Sequence, residues 1–131
     1  VILKRVIAPE LHTVADWVRR TFGAGWADEC TAAILRQPST CFVALAEGKI
    51  LGFACYDATG RDYFGPTGVS DDARGKGIGK ALLLRCMEAM YHSGYAYAII
   101  GGAGPQDYYR RCVGAIPIPG SEPGLYAHML D

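Results

Sequence analysis

The sequence lacks an excess of charge of either sign. Its 13 basic side chains balance 13 acidic ones, so the formal net charge at pH 7 is zero. Sequence-independent binding to nucleic acid needs many Lys and Arg side chains that neutralise backbone phosphates. We therefore expect no nucleic-acid partner, although a local basic patch could still hold one phosphorylated cofactor.

Long apolar runs and closely spaced cysteines are also missing. No uninterrupted apolar stretch approaches the roughly 18 residues of a membrane helix, and no charged-then-apolar leader is visible. We expect a soluble, cytoplasmic protein with no membrane partner. The five cysteines are odd in number and widely spaced, without a CxxC motif or a Cys/His cluster. This spacing argues against a disulfide framework and against a metal site.

The 131 residues, half of them hydrophobic, fit a single domain over residues 1–131 that is large enough for one core. Hydrophobic periodicity predicts a strand, two helices, a three-strand meander, a long helix, a strand, a short helix and two last strands. The predicted segments are 1–7, 10–22, 26–36, a hairpin within 40–57 around Glu47-Gly48, 62–69, 77–93, 95–100, 105–112 and 115–130. The fold class is therefore α/β (α+β), one mixed sheet with helices on it.

A glycine-rich turn, Arg74-Gly75-Lys76-Gly77-Ile78-Gly79, precedes the long helix. Backbone amides at a helix start have no partner within the helix, and glycines allow a phosphate to approach them closely. Arg74, Lys76 and Lys80 add positive charge. The turn predicts a pyrophosphate site.

Two common phosphate motifs do not match this turn. A P-loop requires Ser or Thr after Gly79-Lys80, where the chain has Ala81, and the dinucleotide fingerprint requires glycine at position 80. The strands upstream also form a meander rather than the start of a βαβ unit. A nucleotide-phosphate enzyme is accordingly a weak third hypothesis.

Arg74, Gly77 and Gly79 do match the (Arg/Gln)-x-x-Gly-x-(Gly/Ala) pattern of the GNAT superfamily of acetyl-CoA-dependent N-acetyltransferases. The predicted order of elements resembles that family from one end of the chain to the other. The resemblance implies a GNAT-like fold, order β-α-α-β-β-β-α-β-α-β-β, with a splayed central parallel strand pair. Pro66 and Gly68, which weaken strand pairing, fall in the strand where that family is irregular.

The resemblance also implies which residues hold the cofactor. The pantetheine arm of acetyl-CoA, the co-substrate, should pair with the backbone of Thr67, Gly68 and Val69. The pyrophosphate should rest on the turn and the first residues of the helix: Arg74, Gly75, Lys76, Gly77, Ile78, Gly79 and Lys80. An asparagine that family members often place before the catalytic tyrosine is replaced here by Gly102.

Acetyl transfer to an amine needs a proton donor for the leaving thiolate. Family members often place a tyrosine near the sulfur, on the helix that corresponds to residues 105–112, and this implies Tyr109 as the catalytic residue. One extra residue between this pair and Gly114 leaves Tyr108 as the alternative. No general base stands out, since Asp57, Asp62 and a backbone-bound water serve equally.

Cys55 offers a covalent route, but a lone cysteine in an apolar strand is more often a buried hydrophobe. The resemblance places the acceptor pocket between the first two helices and the last hairpin, with Phe22, Trp26, Tyr56 and Tyr126 as walls. Aromatic walls favour a small amine or an amino-acid end as acceptor.

The sequence therefore predicts an N-acetyltransferase that moves acetyl from acetyl-CoA to a primary amine by direct attack, without a metal. The alternative is a non-catalytic acyl-CoA-binding sensor or interaction module. Dimerisation is common among similar proteins, and a homodimer is left open.

Overall fold

The computed structural model describes residues 1–130, which fall into two compact units, residues 1–99 and residues 100–130. The strands are β1 (Ile2–Arg5), β2 (Cys41–Ala46), β3 (Lys49–Tyr56), β4 (Tyr63–Val69) and β5 (Ile99–Ile100), and the helices are α1 (Leu11–Phe22), α2 (Ala24–Ile34), α3 (Ile78–His92) and α4 (Gln106–Val113). Short 3-10 turns cover Ala8–Glu10, Asp71–Ala73 and Gly124–Tyr126. A single domain over residues 1–131 stays a prediction.

The strands form one mixed sheet in the order β1-β2-β3-β4-β5. The first three neighbouring pairs are antiparallel, and their register aligns Lys4 with Val43, Val43 with Phe53 and Phe53 with Gly68. The predicted hairpin is confirmed: Glu47 and Gly48 both have positive φ, 52° and 75°, as a two-residue turn between twisted strands requires.

Helices cover both faces of the sheet. On one face, Val14 and Val18 of α1 and Cys30 of α2 pack with Val43 and Phe53 of the sheet, all nearly or fully buried. On the other face, α3 packs against β3 and β4 through buried residues that include Leu82, Leu83 and Cys86. Because strand side chains alternate between faces, neighbours in sequence such as Cys55 and Tyr56 belong to different cores.

The predicted long helix is confirmed, and a glycine lies at each of its ends. Gly77 is the residue before α3, with φ 78°, and Gly94 follows the helix with φ 98°. The amide of Gly94 donates to the Tyr91 carbonyl (3.0 Å) and that of Tyr95 to Met90 (3.2 Å), the bond pattern of a Schellman motif.

The two strands predicted within residues 115–130 are not formed. Among the described residues this stretch contains only the 3-10 turn Gly124–Tyr126. Pro117, Pro119 and Pro123 have no N–H to donate to a ladder, and Ile116 and Ile118 are exposed, 83% and 58%, so no apolar face is buried.

The strand predicted over 95–100 is reduced to Ile99–Ile100. Tyr95 lies outside the strand and donates its hydroxyl hydrogen to Asp57, and Tyr97 is exposed. No described helix is both long enough and apolar enough to span a membrane.

Candidate active site

The glycine-rich turn is held at its two ends and open between them. Ala73 and Ile78 are buried, 3% and 5% exposed, whereas all four residues of Arg74–Gly77 are exposed. Gly75 and Gly77 have φ of 79° and 78°, and a Cβ added to either would meet no atom within 4 Å. Backbone conformation, not lack of space, therefore requires glycine at both positions.

The turn leads into a helix start whose first backbone donors have no partner within the helix. The first amide of α3 that bonds within the helix is that of Ala81, to the Gly77 carbonyl at 3.0 Å. The amides of Ile78, Gly79 and Lys80 precede it, and no side chain caps the helix start. A 15-residue helix adds partial positive charge at this end, so the entrance favours an anion.

Charged side chains surround this entrance. Arg74 is anchored by a hydrogen bond from Nε to the Val69 carbonyl (3.3 Å) and by an ion pair with Asp71 (3.4 Å). Lys76 and Lys80 are exposed and form no ion pair within residues 1–130. The lysines are the cations best placed to meet a phosphate.

The strand that leads into the turn is irregular where the sequence predicted it. The register between β3 and β4 shifts between Ala54 and Tyr56, and Gly65 has φ 116°. Beyond the shift, Thr67 and Gly68 pair with Ala54 and Phe53, and Val69 with Gly52. The predicted bulge is confirmed; the splay of β4 from the next strand stays a prediction.

Gly68 is glycine for a different reason from the glycines of the turn. A Cβ at this position would lie 2.5 Å from Cζ of Phe22 and 2.7 Å from its Cε1. Phe22 is itself held in an aromatic cluster with Trp17, Trp26 and Phe53, at ring-centroid distances of 5.2–5.6 Å from them. No sequence pattern indicates this contact, because Phe22 and Gly68 are far apart in sequence and meet only in the folded chain.

The expected aromatic walls do not all come together. Phe22 and Trp26 are in contact, and Trp26 keeps 39% of its surface exposed. Tyr56 is buried on the opposite face of the sheet, stacked on Phe42 at 6.5 Å and hydrogen bonded to Arg5 at 3.0 Å. Tyr56 as a wall beside Phe22 is therefore wrong. Tyr126 lies in the second unit and is 38% exposed.

Tyr108 and Tyr109 follow one another on α4, in the second unit. Tyr109 is buried, 8% exposed, Tyr108 is half-buried, and their rings lie 5.3 Å apart. Burial, and the neighbouring Cys112, raise the pKa of Tyr109; burial is also the main cause that raises the pKa of Tyr108 to about 12. Both phenols stay protonated at neutral pH.

Asp57 and Asp62 are structural parts of the β3–β4 connection. Asp57 accepts hydrogen bonds from the Asp62 amide (2.7 Å) and from the Tyr95 hydroxyl (2.9 Å and 3.1 Å to its two oxygens). Burial and the charge of Asp57 raise the pKa of Asp62. Both aspartates belong to the end of β4 that lies opposite the turn.

The cysteines depart from the expectation that their spacing gave. Cys55 is fully buried, which confirms the interpretation as a small buried hydrophobe. Its sulfur, however, lies within 4.8 Å of those of Cys30 and Cys41. Three cysteines from separate segments thus form a cluster that no sequence motif indicates.

A meander, a bulged strand and an uncapped glycine-lined helix start, together with the family match over most of the chain, define an acyltransferase. The chain belongs to the acetyltransferase (GNAT) family, whose model matches residues 11–114. No curated protein sequence matches the chain significantly.

Solved structures share this fold at low sequence identity. A ribosomal-protein-alanine N-acetyltransferase from Brucella melitensis biovar Abortus 2308 aligns with a TM-score of 0.65 and 18% identity, over 90% of this chain and 95% of that one. An aminoglycoside acetyltransferase from an uncultured soil metagenomic sample aligns with a TM-score of 0.65 and 17% identity, over 89% of this chain and 90% of that one. A GNAT family acetyltransferase from Brucella melitensis in complex with acetyl-CoA aligns with a TM-score of 0.61 and 18% identity, over 84% of this chain and 79% of that one.

Proposed function

We propose that this protein is an N-acetyltransferase that moves the acetyl group of acetyl-CoA onto a primary amine of a small molecule or amino-acid-like acceptor. The main support is the helix start at Gly77, where three successive backbone amides precede the first helical hydrogen bond and meet no capping side chain. These donors match the oxygens of a pyrophosphate, and the lysines at positions 76 and 80 add charge at the margin.

The arm of acetyl-CoA would continue from the turn along β4. β4 pairs with β3 along one edge at Thr67, Gly68 and Val69, and the backbone groups that point to its other edge would pair with the amide groups of the pantetheine. The carbonyl of Val69 is also held by Arg74, so the strand and the turn are coupled at that point.

Tyr109 is the proposed proton donor. In direct attack the amine nitrogen adds to the thioester carbonyl, the C–S bond then breaks, and the leaving thiolate takes a proton from the phenol. The nitrogen passes its extra proton to water, and a proton from water returns to the phenolate and restores the phenol. Because burial raises the pKa of Tyr109, the residue holds its proton until the thiolate forms.

The acceptor would lie against the aromatic cluster of Trp17, Phe22, Trp26 and Phe53. Trp26 is exposed enough to contact a ligand, and Phe22 reaches over Gly68 toward the strand proposed to hold the cofactor. Similar structures include acetyltransferases of aminoglycosides and of a ribosomal-protein alanine, so both small amines and an amino terminus belong in the acceptor panel.

The second candidate is an acyl-CoA sensor without transferase activity. It is favoured by Gly102 in place of the family's asparagine, and by the engagement of Asp57 with Tyr95 and Asp62, which leaves no assigned base. The two candidates differ in thiol release from acetyl-CoA with a panel of amines. Binding of acetyl-CoA with no release across a broad panel would favour the sensor.

Replacing Tyr109 with Phe should lower kcat by about 100-fold or more, while the Kd for acetyl-CoA stays within about twofold. The matched control is Tyr108→Phe, which removes the neighbouring hydroxyl on the same helix. Full turnover in Tyr109→Phe would remove its assigned role, and a loss confined to Tyr108→Phe would transfer that role to Tyr108.

A further inference from the structure

Three cysteines meet at one point beneath α1 and α2. Cys30 lies on α2, Cys41 begins β2, and Cys55 is the cross-strand partner of Cys41 on β3. Their Sγ atoms all lie within 4.8 Å of one another, and those of Cys30 and Cys41 are 3.8 Å apart. Each side chain is fully buried, so the three thiols converge inside the core rather than at its surface.

The surroundings of this three-cysteine cluster are apolar. Its core neighbours are aliphatic and aromatic, and they include Val6, Val14, Val18, Ala27, Ala33, Ile34, Val43 and Phe53. Among residues 1–130 no buried residue is His, Asp, Glu, Lys or Arg, and the buried polar residues are Ser39 and Thr40, which precede Cys41. The site therefore offers three sulfur ligands, no fourth His, Cys, Asp or Glu ligand within the described residues, and no buried compensating charge.

Three thiolate ligands in an apolar core favour thiophilic ions of one particular charge. Structural zinc takes four ligands in a tetrahedron, and the fourth is missing. Three thiolates around a divalent or monovalent ion would leave net negative charge buried without a cation, which is strongly unfavourable. Three thiolates around a trivalent centre form a neutral complex, which an apolar core accepts.

We propose that Cys30, Cys41 and Cys55 form a binding site for a trivalent thiophilic centre, delivered as its neutral hydroxide, with arsenous acid as the representative ligand. The site lies apart from the turn proposed to bind acetyl-CoA, and it does not depend on acetyltransferase activity.

The exchange balances without an oxidant or a reductant. Three As–O bonds of As(OH)₃ break and three As–S bonds form; each thiol proton leaves with a hydroxide as water, and arsenic stays trivalent. Because the cluster is sealed, entry requires local opening of the helices above it, and binding should be slow.

The test is titration of the reduced protein with arsenite in the presence of a phosphine reductant. The expected result is one arsenic per chain by native mass spectrometry and a fall in titratable thiols from the five of the sequence to two. X-ray absorption of the wild-type complex should show three sulfur neighbours. Two sulfurs with one oxygen, or no uptake, would overturn the three-thiol site.

Single variants Cys30→Ala, Cys41→Ala and Cys55→Ala should each weaken arsenite binding by at least about 100-fold, because one arm of the chelate is lost. The matched control is Cys86→Ala, which removes an equally buried cysteine on α3 and should leave the affinity unchanged. Equal loss in the control, or zinc or copper(I) binding more tightly than arsenite, would contradict the proposal. The X-ray absorption result decides the question even if a variant fails to fold.

Discussion

The two ends of β4 differ in how their polar groups are satisfied. Just before its first residue, the Asp62 carbonyl accepts from the Ile99 amide (2.8 Å) and Asp57 accepts from Tyr95, so most polar groups there are paired within the protein; among the described residues, Oδ1 of Asp62 is buried without a hydrogen-bond partner. Past its last residue, the turn leads into a helix whose first amides meet no cap. We expect the closed end to stabilise the fold, and the open end is the one that we propose to bind the ligand.

The same contrast separates the glycines near the open end. Gly77 needs its backbone conformation and has free space around it, whereas Gly68 has an ordinary conformation and no space beneath Phe22. An alanine at position 77 should therefore strain the backbone, whereas an alanine at position 68 should collide with a neighbouring side chain.

The largest effect is expected from Gly68→Ala. The new Cβ would press on a ring that is fixed by three aromatic neighbours, and overpacking of this kind costs about 1–3 kcal/mol of unfolding free energy. Urea denaturation measures the loss. Gly25→Ala, in open space on α2, is the control and should be close to neutral.

The assignment to Phe22 can be tested by a double variant. In a Phe22→Leu background the penalty of Gly68→Ala should shrink, because the colliding atoms are gone. An unchanged penalty would show that the ring is not its cause.

The next effect is expected from Gly77→Ala. An alanine at φ 78° costs about 1–2 kcal/mol in backbone strain, and displacement of the amides should weaken acetyl-CoA binding by about tenfold. The control Gly48→Ala carries the same kind of strain, at φ 75° in the β2–β3 hairpin, also with open space around it. Calorimetric titration should show a similar stability loss in both variants but weaker acetyl-CoA binding only at position 77.

A smaller effect is expected at the closed end, from Tyr95→Phe. The variant removes the hydroxyl that donates to both oxygens of Asp57, a hydrogen bond to a charged group worth about 1.5 kcal/mol. Thermal unfolding should detect the loss, while the Kd for acetyl-CoA stays unchanged. Weaker acetyl-CoA binding would mean that the two ends of β4 are not independent.

The smallest effect concerns the pH dependence of Asp62. Its pKa is raised in the folded protein by burial and by Asp57, so ionisation of Asp62 disfavours folding. The contribution of protonated Asp62 to the free energy of unfolding is fully present below the ordinary Asp pKa of about 3.9. It is lost as the pH rises through the higher pKa of the folded protein. Asp62→Asn should remove this part of the pH profile, which stability curves between acid and neutral pH would show; an identical slope in the variant would contradict it.

Features set by neighbouring residues could be predicted from the sequence. The Glu47-Gly48 hairpin, the long helix with Gly77 and Gly94 at its ends, and the bulge near Pro66 each depend on local backbone chemistry. The turn was found for the same reason, since glycines, basic side chains and a helix start lie within seven residues.

Features that depend on the folded chain could not be predicted in this way. The alternation of apolar residues over 115–130 suggested strands, but three prolines remove ladder donors there. Phe22 over Gly68 and the three-cysteine cluster join residues from distant segments, and Tyr56 was misplaced because one step along a strand changes the face of the sheet.

The most direct test of the open helix entrance is to follow the backbone amides of Ile78, Gly79 and Lys80 by NMR while acetyl-CoA is added. These three amides should shift together and become protected from hydrogen exchange, with inorganic pyrophosphate shifting the same signals more weakly. If acetyl-CoA binds and these signals stay in place while others move, the pyrophosphate does not rest on this turn.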